Sequence, residues 1–146
     1  MRYRDPVPNL TPEEIRTEVA RFWNVFTSKA PDLLEEFYAS DATVFASTGV
    51  RAEPGRLAVT RRRREYFDKQ TSVRVQLGTI DVQLLSDNCA VASYTFRFDA
   101  TRVAGGLGKS SDEHLEHARA TQVFQRDSEG KLRIVHEHFS AAIIQH

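Results

Sequence analysis

The sequence predicts an α+β domain in which helices pack on one face of a bent antiparallel sheet. Three observations indicate this class. Helical periodicity dominates residues 12–69, strand-like alternation dominates the remainder, and short turn sequences join the later strands as hairpins. Elements grouped in this order favour helices layered on a sheet. We expect all 146 residues, 1–146, to form one domain with one core.

Three helices are predicted. The first spans residues 12–28, because Thr11 can cap it, Pro12 suits its first position and Glu14 can complete a capping box. Its apolar residues recur at helical spacing and define an aromatic-rich buried face: Ile15, Val19, Phe22, Trp23 and Phe26. Pro31 can open a short second helix, and residues 54–69 form the third. The apolar side of the second helix would comprise Leu33, Leu34, Phe37 and Tyr38.

Five strands are predicted, the first at residues 42–47 and the rest after Gln70. In the second, Val73, Val75 and Leu77 alternate with polar residues, and the apolar phase then shifts to Ile80, Val82 and Leu84. A shift near Gly78 and Thr79 predicts a bulge that bends the strand. The next strands are 90–102, 117–126 and a last one from 132, and a long glycine-rich hairpin loop occupies 105–114.

Composition narrows the functional classes. Twenty basic residues balance twenty acidic ones, so binding to nucleic acid or to a membrane surface is not expected. Cys89 is the single cysteine, which excludes an intrachain disulfide and a multi-cysteine metal site. No signal peptide or membrane-length apolar stretch is evident, so we expect a cytoplasmic protein. We expect no cofactor.

Residues 61–64 are four consecutive arginines on the third helix. Consecutive helical residues point around the whole helix and do not form one basic stripe. We therefore expect a solvated or ion-paired surface there.

The closing segment TQVFQRDSEGKLRIVHEHFS, residues 121–140, resembles the nuclear transport factor 2-like (NTF2-like) superfamily. The superfamily ending is a strand, a charged turn with Gly and Lys, and a strand reading Ile-Val-His-x-His-x-Ser. The SnoaL-like and ketosteroid isomerase-like proteins are most similar in pattern, as is the association domain of calcium/calmodulin-dependent protein kinase II. The resemblance implies a cone-shaped, cystatin-like fold with helices on the concave face of the sheet. It also implies an apolar pocket between them and a homodimer through the outer sheet face.

Side chains of the last strand alternate between two faces. Ile134, His136, His138 and Ser140 are expected on one face, and Val135, Glu137 and Phe139 on the other. His136, Glu137 and His138 therefore cannot jointly bind one ion, and we expect no metal site. The two histidines are expected to be hydrogen-bonded at the sheet surface or at a dimer contact.

The resemblance implies that the Glu137 face looks into the pocket. The kinase association domain has arginines there that take up anionic groups, whereas this chain has Phe96, Gln122 and Phe139 at the corresponding positions. That departure predicts a small apolar or aromatic, polyketide-like guest. The predicted ligand-binding residues are Trp23, Tyr66, Phe96, Phe98, Gln122 and Phe139.

Glu137 and Tyr94 are the predicted catalytic residues. A carboxylate in an apolar pocket can act as an acid or base near neutral pH. Ketosteroid isomerase-like enzymes pair such a base with a donor to the developing oxyanion, a role open to Tyr94. Alternatively, Glu137 orients the ligand or is a buried carboxylate paired with Arg97, Arg119 or Gln122.

Two functions remain open at this point. The first is a small-molecule-binding domain that is also a cofactor-free isomerase or cyclase. The second is a non-catalytic homo-oligomerisation module.

Overall fold

The structure is a computed structural model that describes residues 8–46, 53–102 and 112–142. Most of the predicted hairpin loop at 105–114 lies outside these residues. The helices are α1 (Pro12–Thr27), α2 (Pro31–Glu35) and α3 (Arg56–Asp68). The strands are β1 (Tyr38–Phe45), β2 (Glu53–Pro54), β3 (Gln70–Ser86), β4 (Cys89–Arg102), β5 (Glu113–Arg126) and β6 (Leu132–Ala141).

The strands form one open, bent sheet in the order β2-β1-β6-β5-β4-β3. The β3–β4, β4–β5 and β5–β6 pairs are antiparallel, as the hairpin turns predicted. β1 instead pairs with β6 in parallel. The chain leaves β1 through β2 and α3, enters the sheet at its far edge with β3, and returns by three hairpins. The α+β class is confirmed, and the sheet is mixed at this one pair.

α1 packs its predicted apolar face on the concave side of the sheet. Thr11 accepts a hydrogen bond from the backbone N–H of Glu14 at 3.2 Å, which confirms the predicted cap. All five residues of the face are at most 4% exposed. Burial of each large apolar side chain stabilises the fold by about 1.5–3 kcal/mol. This face therefore anchors the helix layer to the sheet.

α2 is shorter than its apolar pattern implied. The helix ends at Glu35, Leu33 is 58% exposed, and Tyr38 begins β1. The predicted placement of Leu33 and Tyr38 on one buried helix face was wrong, because the chain turns into the sheet after Glu36. Tyr38 is consequently a sheet residue and is 1% exposed.

β3 contains the predicted bulge. Leu77 pairs with Phe96 and Ile80 pairs with Tyr94, so Gly78 and Thr79 together oppose a single residue of β4. Two residues facing one is the geometry that bends a strand. The phase shift in the sequence is therefore confirmed as a bulge.

β6 contains a second bulge that was not predicted. Phe124 pairs with Ile134 and Val123 pairs with His136, which leaves Val135 as an extra residue. The extra residue reverses the side-chain alternation. Ile134 is fully buried with Glu137, so the prediction that Ile134 shares the face of His136 was wrong.

Candidate functional site

A cavity of about 400 Å³ lies between the helices and the concave face of the sheet. Its walls come from α1, α3, β4, β5 and β6. Five of the six predicted ligand-binding residues line it: Trp23, Tyr66, Phe96, Phe98 and Phe139. These five residues therefore lie where the sequence analysis expected them, and their role in ligand binding stays a prediction. Gln122 is buried but lies behind the wall.

Three aromatic rings form a rigid part of the wall. The ring centroids of Trp23 and Phe96 are 4.8 Å apart, and those of Trp23 and Phe139 are 5.5 Å apart. Phe96 and Phe139 complete the triangle at 5.9 Å with an edge-on contact. These separations are typical of stabilising aromatic pairs. Rings fixed in this way offer flat apolar surface to a guest.

Charged side chains make up another part of the lining. Four are basic and two are acidic, a difference of two positive charges: Arg62, Arg63, Lys69 and Arg102 against Glu65 and Glu113. The Tyr66 hydroxyl donates a hydrogen bond to Glu113 at 3.2 Å. Burial, reinforced by the Glu113 carboxylate, raises the pKa of Tyr66, so its hydroxyl stays protonated. The cavity lining therefore combines aromatic rings with an excess of two positive charges.

Glu137 is fully buried behind this wall and does not line the cavity. Its Oε2 accepts hydrogen bonds from the Tyr38 hydroxyl at 2.8 Å and from Arg63 Nη2 at 3.0 Å. Its Oε1 accepts one from Gln122 Nε2 at 2.7 Å. Three donors directed at two oxygens match an ionised carboxylate, which only accepts hydrogen bonds.

A hydrogen-bonded chain connects Glu137 to the cavity wall. Gln122 Oε1 accepts from the Tyr94 hydroxyl at 2.7 Å, and the Tyr94 oxygen accepts from Trp23 Nε1 at 2.8 Å. Gln122 thus lies between the two predicted catalytic residues. The Tyr94 hydroxyl donates its hydrogen bond to Gln122, and Tyr94, like Glu137, does not line the cavity. The catalytic assignment of this pair stays a prediction.

The buried groups have displaced pKa values. Burial raises the pKa of Glu137, and Arg63, Gln122 and Tyr38 offset this only in part. Burial also raises the pKa of Tyr94 and of Tyr38 well above the ordinary tyrosine value. Both hydroxyls are therefore protonated donors at neutral pH.

Arg63 is a residue of the candidate site that the sequence analysis did not predict. A solvated or ion-paired surface was expected, and Arg63 does form an ion pair, with Glu137, but it is buried, with 8% of its surface exposed. Val59, Arg63 and Phe67 are four residues apart and share the buried face of α3. That spacing was the available signal, hidden by the run of four arginines. Its neighbours Arg61, Arg62 and Arg64 are exposed, as predicted.

The predicted arginine partners of Glu137 were wrong, whereas Gln122 was correct. Arg119 lies on the outer face, where its Nε donates to Ser140 Oγ at 3.2 Å. Arg97 is also exposed and lies 3.7 Å from the carboxylate of Asp99. Outward-facing positions on β4 and β5 cannot reach a carboxylate inside the sheet. The cation comes instead from α3.

The histidines of β6 face away from the cavity. His136 Nδ1 and Thr43 Oγ1 are hydrogen-bonded at 2.7 Å, which confirms the expected role of His136 at the sheet surface. His138 is exposed and packs beside the Phe45 ring at 5.4 Å. Across 8–46, 53–102 and 112–142, no group of three His, Cys, Asp or Glu side chains could hold a metal ion. In the same ranges, no helix is long and apolar enough to cross a membrane.

The chain matches the sequence model of the SnoaL-like domain family over residues 15–144. No curated protein matches it. Several solved structures are similar. An NTF2-like superfamily protein from Salmonella enterica is 19% identical with a TM-score of 0.77, and 92% of each chain is covered. At this identity, the likeness concerns the fold.

Two further neighbours have more specific descriptions. A protein from Xanthomonas campestris, provisionally described as a calcium/calmodulin-dependent protein kinase II association domain, is 22% identical with a TM-score of 0.72, and 97% of each chain is covered. A protein from Novosphingobium aromaticivorans, provisionally described as a scytalone dehydratase, is 12% identical with a TM-score of 0.76. The match covers 88% of this chain and 82% of that one.

Proposed function

Since the chain belongs to the SnoaL-like domain family, as its resemblance to NTF2-like proteins predicted, we propose that it binds a small, largely apolar molecule between α1, α3 and the sheet. One observation carries the proposal. A cavity of about 400 Å³ is lined by aromatic and aliphatic side chains from separate elements and, in about equal number, by polar and charged ones. Its volume is that of a small-molecule site, and such sites combine aromatic lining with polar groups that orient the ligand.

The open cavity favours ligand binding over a purely associative role. Protein interiors are closely packed, with few voids larger than a water molecule, so an open cavity of this size is better explained by a guest than by association alone. Trp23, Phe96 and Phe139 pack against one another in the lining and supply apolar surface suited to an aromatic or polyketide-like guest.

Binding can be measured with a neutral apolar probe, N-phenyl-1-naphthylamine (NPN), whose fluorescence rises in apolar surroundings. Leu115 lines the cavity, and Leu115→Trp places an indole in it. We expect this variant to bind NPN about tenfold more weakly, because the added ring occupies the space of the probe. Leu57 is 73% exposed on α3, outside the lining, so Leu57→Trp is the matched control. Equal affinity in all three proteins would refute the proposal.

A second candidate is cofactor-free proton transfer next to a carbonyl, with Glu137 as base and Tyr94 as donor. It is favoured by the continuous hydrogen-bonded chain from Glu137 through Gln122 and Tyr94 to Trp23 at the cavity wall. In this geometry three donors already occupy Glu137, so a substrate would have to displace one of them. Unchanged turnover of a ketone substrate by Glu137→Gln would remove Glu137 from the chemistry.

We also propose a homodimer through the outer face of the sheet. Thr121 lies at the centre of this face, paired with Ser93 on one side and His138 on the other. Sedimentation velocity should give a dimer mass for the natural chain. Thr121→Arg should give a monomer, because an unpaired charge in an interface is costly. Thr101→Arg, at an exposed position near the end of β4, is the control and should stay dimeric. A monomeric natural chain would contradict the assignment.

A further inference from the structure

We propose that Arg63 recognises the guest, and that the guest is an aromatic or otherwise apolar molecule with an anionic oxygen group. The proposal rests on the proposed binding function and specifies its ligand class. It follows from the position of one guanidinium, from what holds that guanidinium, and from the charge around it.

Arg63 brings a cation to the apolar wall. The residue lines the cavity although it is 8% exposed. Its guanidinium carbon lies 5.1 Å from the ring centroid of Phe26 and 5.4 Å from that of Phe139, and both rings also line the cavity. Aromatic faces attract a cation at these distances. The charge is therefore held where an aromatic guest would lie.

Glu137 holds the guanidinium from behind. Arg63 Nη2 donates to Glu137 Oε2 at 3.0 Å, and Glu137 itself is outside the lining. Tyr38 and Gln122 fix the carboxylate from two other directions. A guanidinium carries five N–H donors, more than one carboxylate oxygen uses, and its plane suits carboxylate and similar oxyanions. Glu137 is thus a positioning residue for Arg63.

The lining as a whole favours an anion. Its charged side chains have an excess of two positive charges. Solvent screens the charges of the exposed residues Arg62, Lys69, Arg102 and Glu65, whereas the charge of the buried Arg63 is screened less. An aromatic guest with one anionic group would place its rings on Trp23, Phe96 and Phe139 and its charge at Arg63.

Two fluorescent probes with the same ring skeleton separate the contribution of the anionic group to affinity from that of the rings. NPN is neutral, and 8-anilinonaphthalene-1-sulfonate (ANS) is the same molecule with an added sulfonate. We expect Arg63→Gln to weaken ANS binding by about tenfold or more while NPN binding stays within about threefold, because only ANS loses a charge-assisted hydrogen bond. Arg61 is exposed on the same helix and outside the lining, so Arg61→Gln should leave both affinities unchanged.

A second variant keeps the test valid if Arg63→Gln fails to fold. Arg63→Gln leaves the buried Glu137 carboxylate without its cation, which destabilises a fold. Arg63→Gln/Glu137→Gln removes both charges and keeps two amides of similar shape. It should show the same selective loss of ANS affinity.

The outcomes distinguish the two proposals. Unchanged ANS affinity in both variants, or equal weakening of ANS and NPN in the folded double variant, would overturn the role of Arg63. Failure of both probes to bind the natural chain would overturn the proposed binding function itself.

Discussion

Glu137 and Arg63 are 74 residues apart in sequence and form one buried ion pair. Neither charge would be stable alone in this environment, because desolvation of an isolated charge is costly. The carboxylate compensates the guanidinium, and Tyr38 and Gln122 each donate one further hydrogen bond to it. A pocket otherwise built of aromatic rings can thereby keep a cation in its wall.

The raised pKa of Glu137 gives a stability prediction. The folded state holds the Glu137 proton more tightly than the unfolded state, in which the pKa is about 4.3. The associated stability is present below the unfolded pKa and is lost as pH rises through the folded pKa. We expect the free energy of unfolding of the natural chain, relative to Glu137→Gln, to fall as pH rises from the unfolded-state pKa through the folded-state pKa. Urea unfolding at a series of pH values measures the difference.

The opposite slope would contradict the direction of this shift. A relative stability that rises with pH would mean that Arg63, Tyr38 and Gln122 outweigh burial. Asp127, whose pKa is lowered chiefly by a backbone hydrogen bond from Lys131, should show that rising slope when the natural chain is compared with Asp127→Asn.

Individual site residues differ in how far the sequence could predict them. Alternation along β4 was sufficient for Phe96 and Phe98, because the register shifts beside them place the extra residues in β3 and β5, and β4 itself keeps its alternation. Arg63 was missed because the arginine run was considered as a block, although its spacing from Val59 and Phe67 is that of a buried face. Tyr38 was missed because it was assigned to α2.

At the scale of elements, the bulges in β3 and β6 differ in whether the sequence reveals them. The bulge in β3 is visible in the sequence, since the apolar phase changes across Gly78 and Thr79. The bulge in β6 is not visible, because Ile134 and Val135 are both apolar and either could be the inward residue. Periodicity detects a bulge only where it changes the apolar pattern.

Substitution of Gly78 tests whether β3 approaches β4 as closely at the bulge as the structure shows. A Cβ at this position would lie 2.8 Å from Thr95 Oγ1 and 3.0 Å from the Thr95 carbonyl oxygen. Gly78→Ala should therefore lower the free energy of unfolding by about 1–3 kcal/mol, the usual cost of overpacking. Thr79→Ala, at the exposed neighbouring position, is the control and should change it by less than about 1 kcal/mol. Chemical denaturation measures both, and equal effects would refute the close approach.

At the scale of the whole molecule, the net charge of the chain does not predict the charge of the cavity lining. The chain has equal numbers of acidic and basic residues, yet the cavity lining has an excess of two positive charges. The fold class followed from the order of elements and from turn chemistry, which are local properties. The cation in the cavity depends on contacts between α3 and β6, and no local pattern specifies such a contact.

A crystal structure of the protein with ANS bound tests the central claim most directly. The account predicts the naphthalene rings against Trp23, Phe96 and Phe139, with the sulfonate at Arg63. Probe bound only outside the cavity, for example at Leu84 and Leu85, which are 43% and 55% exposed on β3, would contradict it.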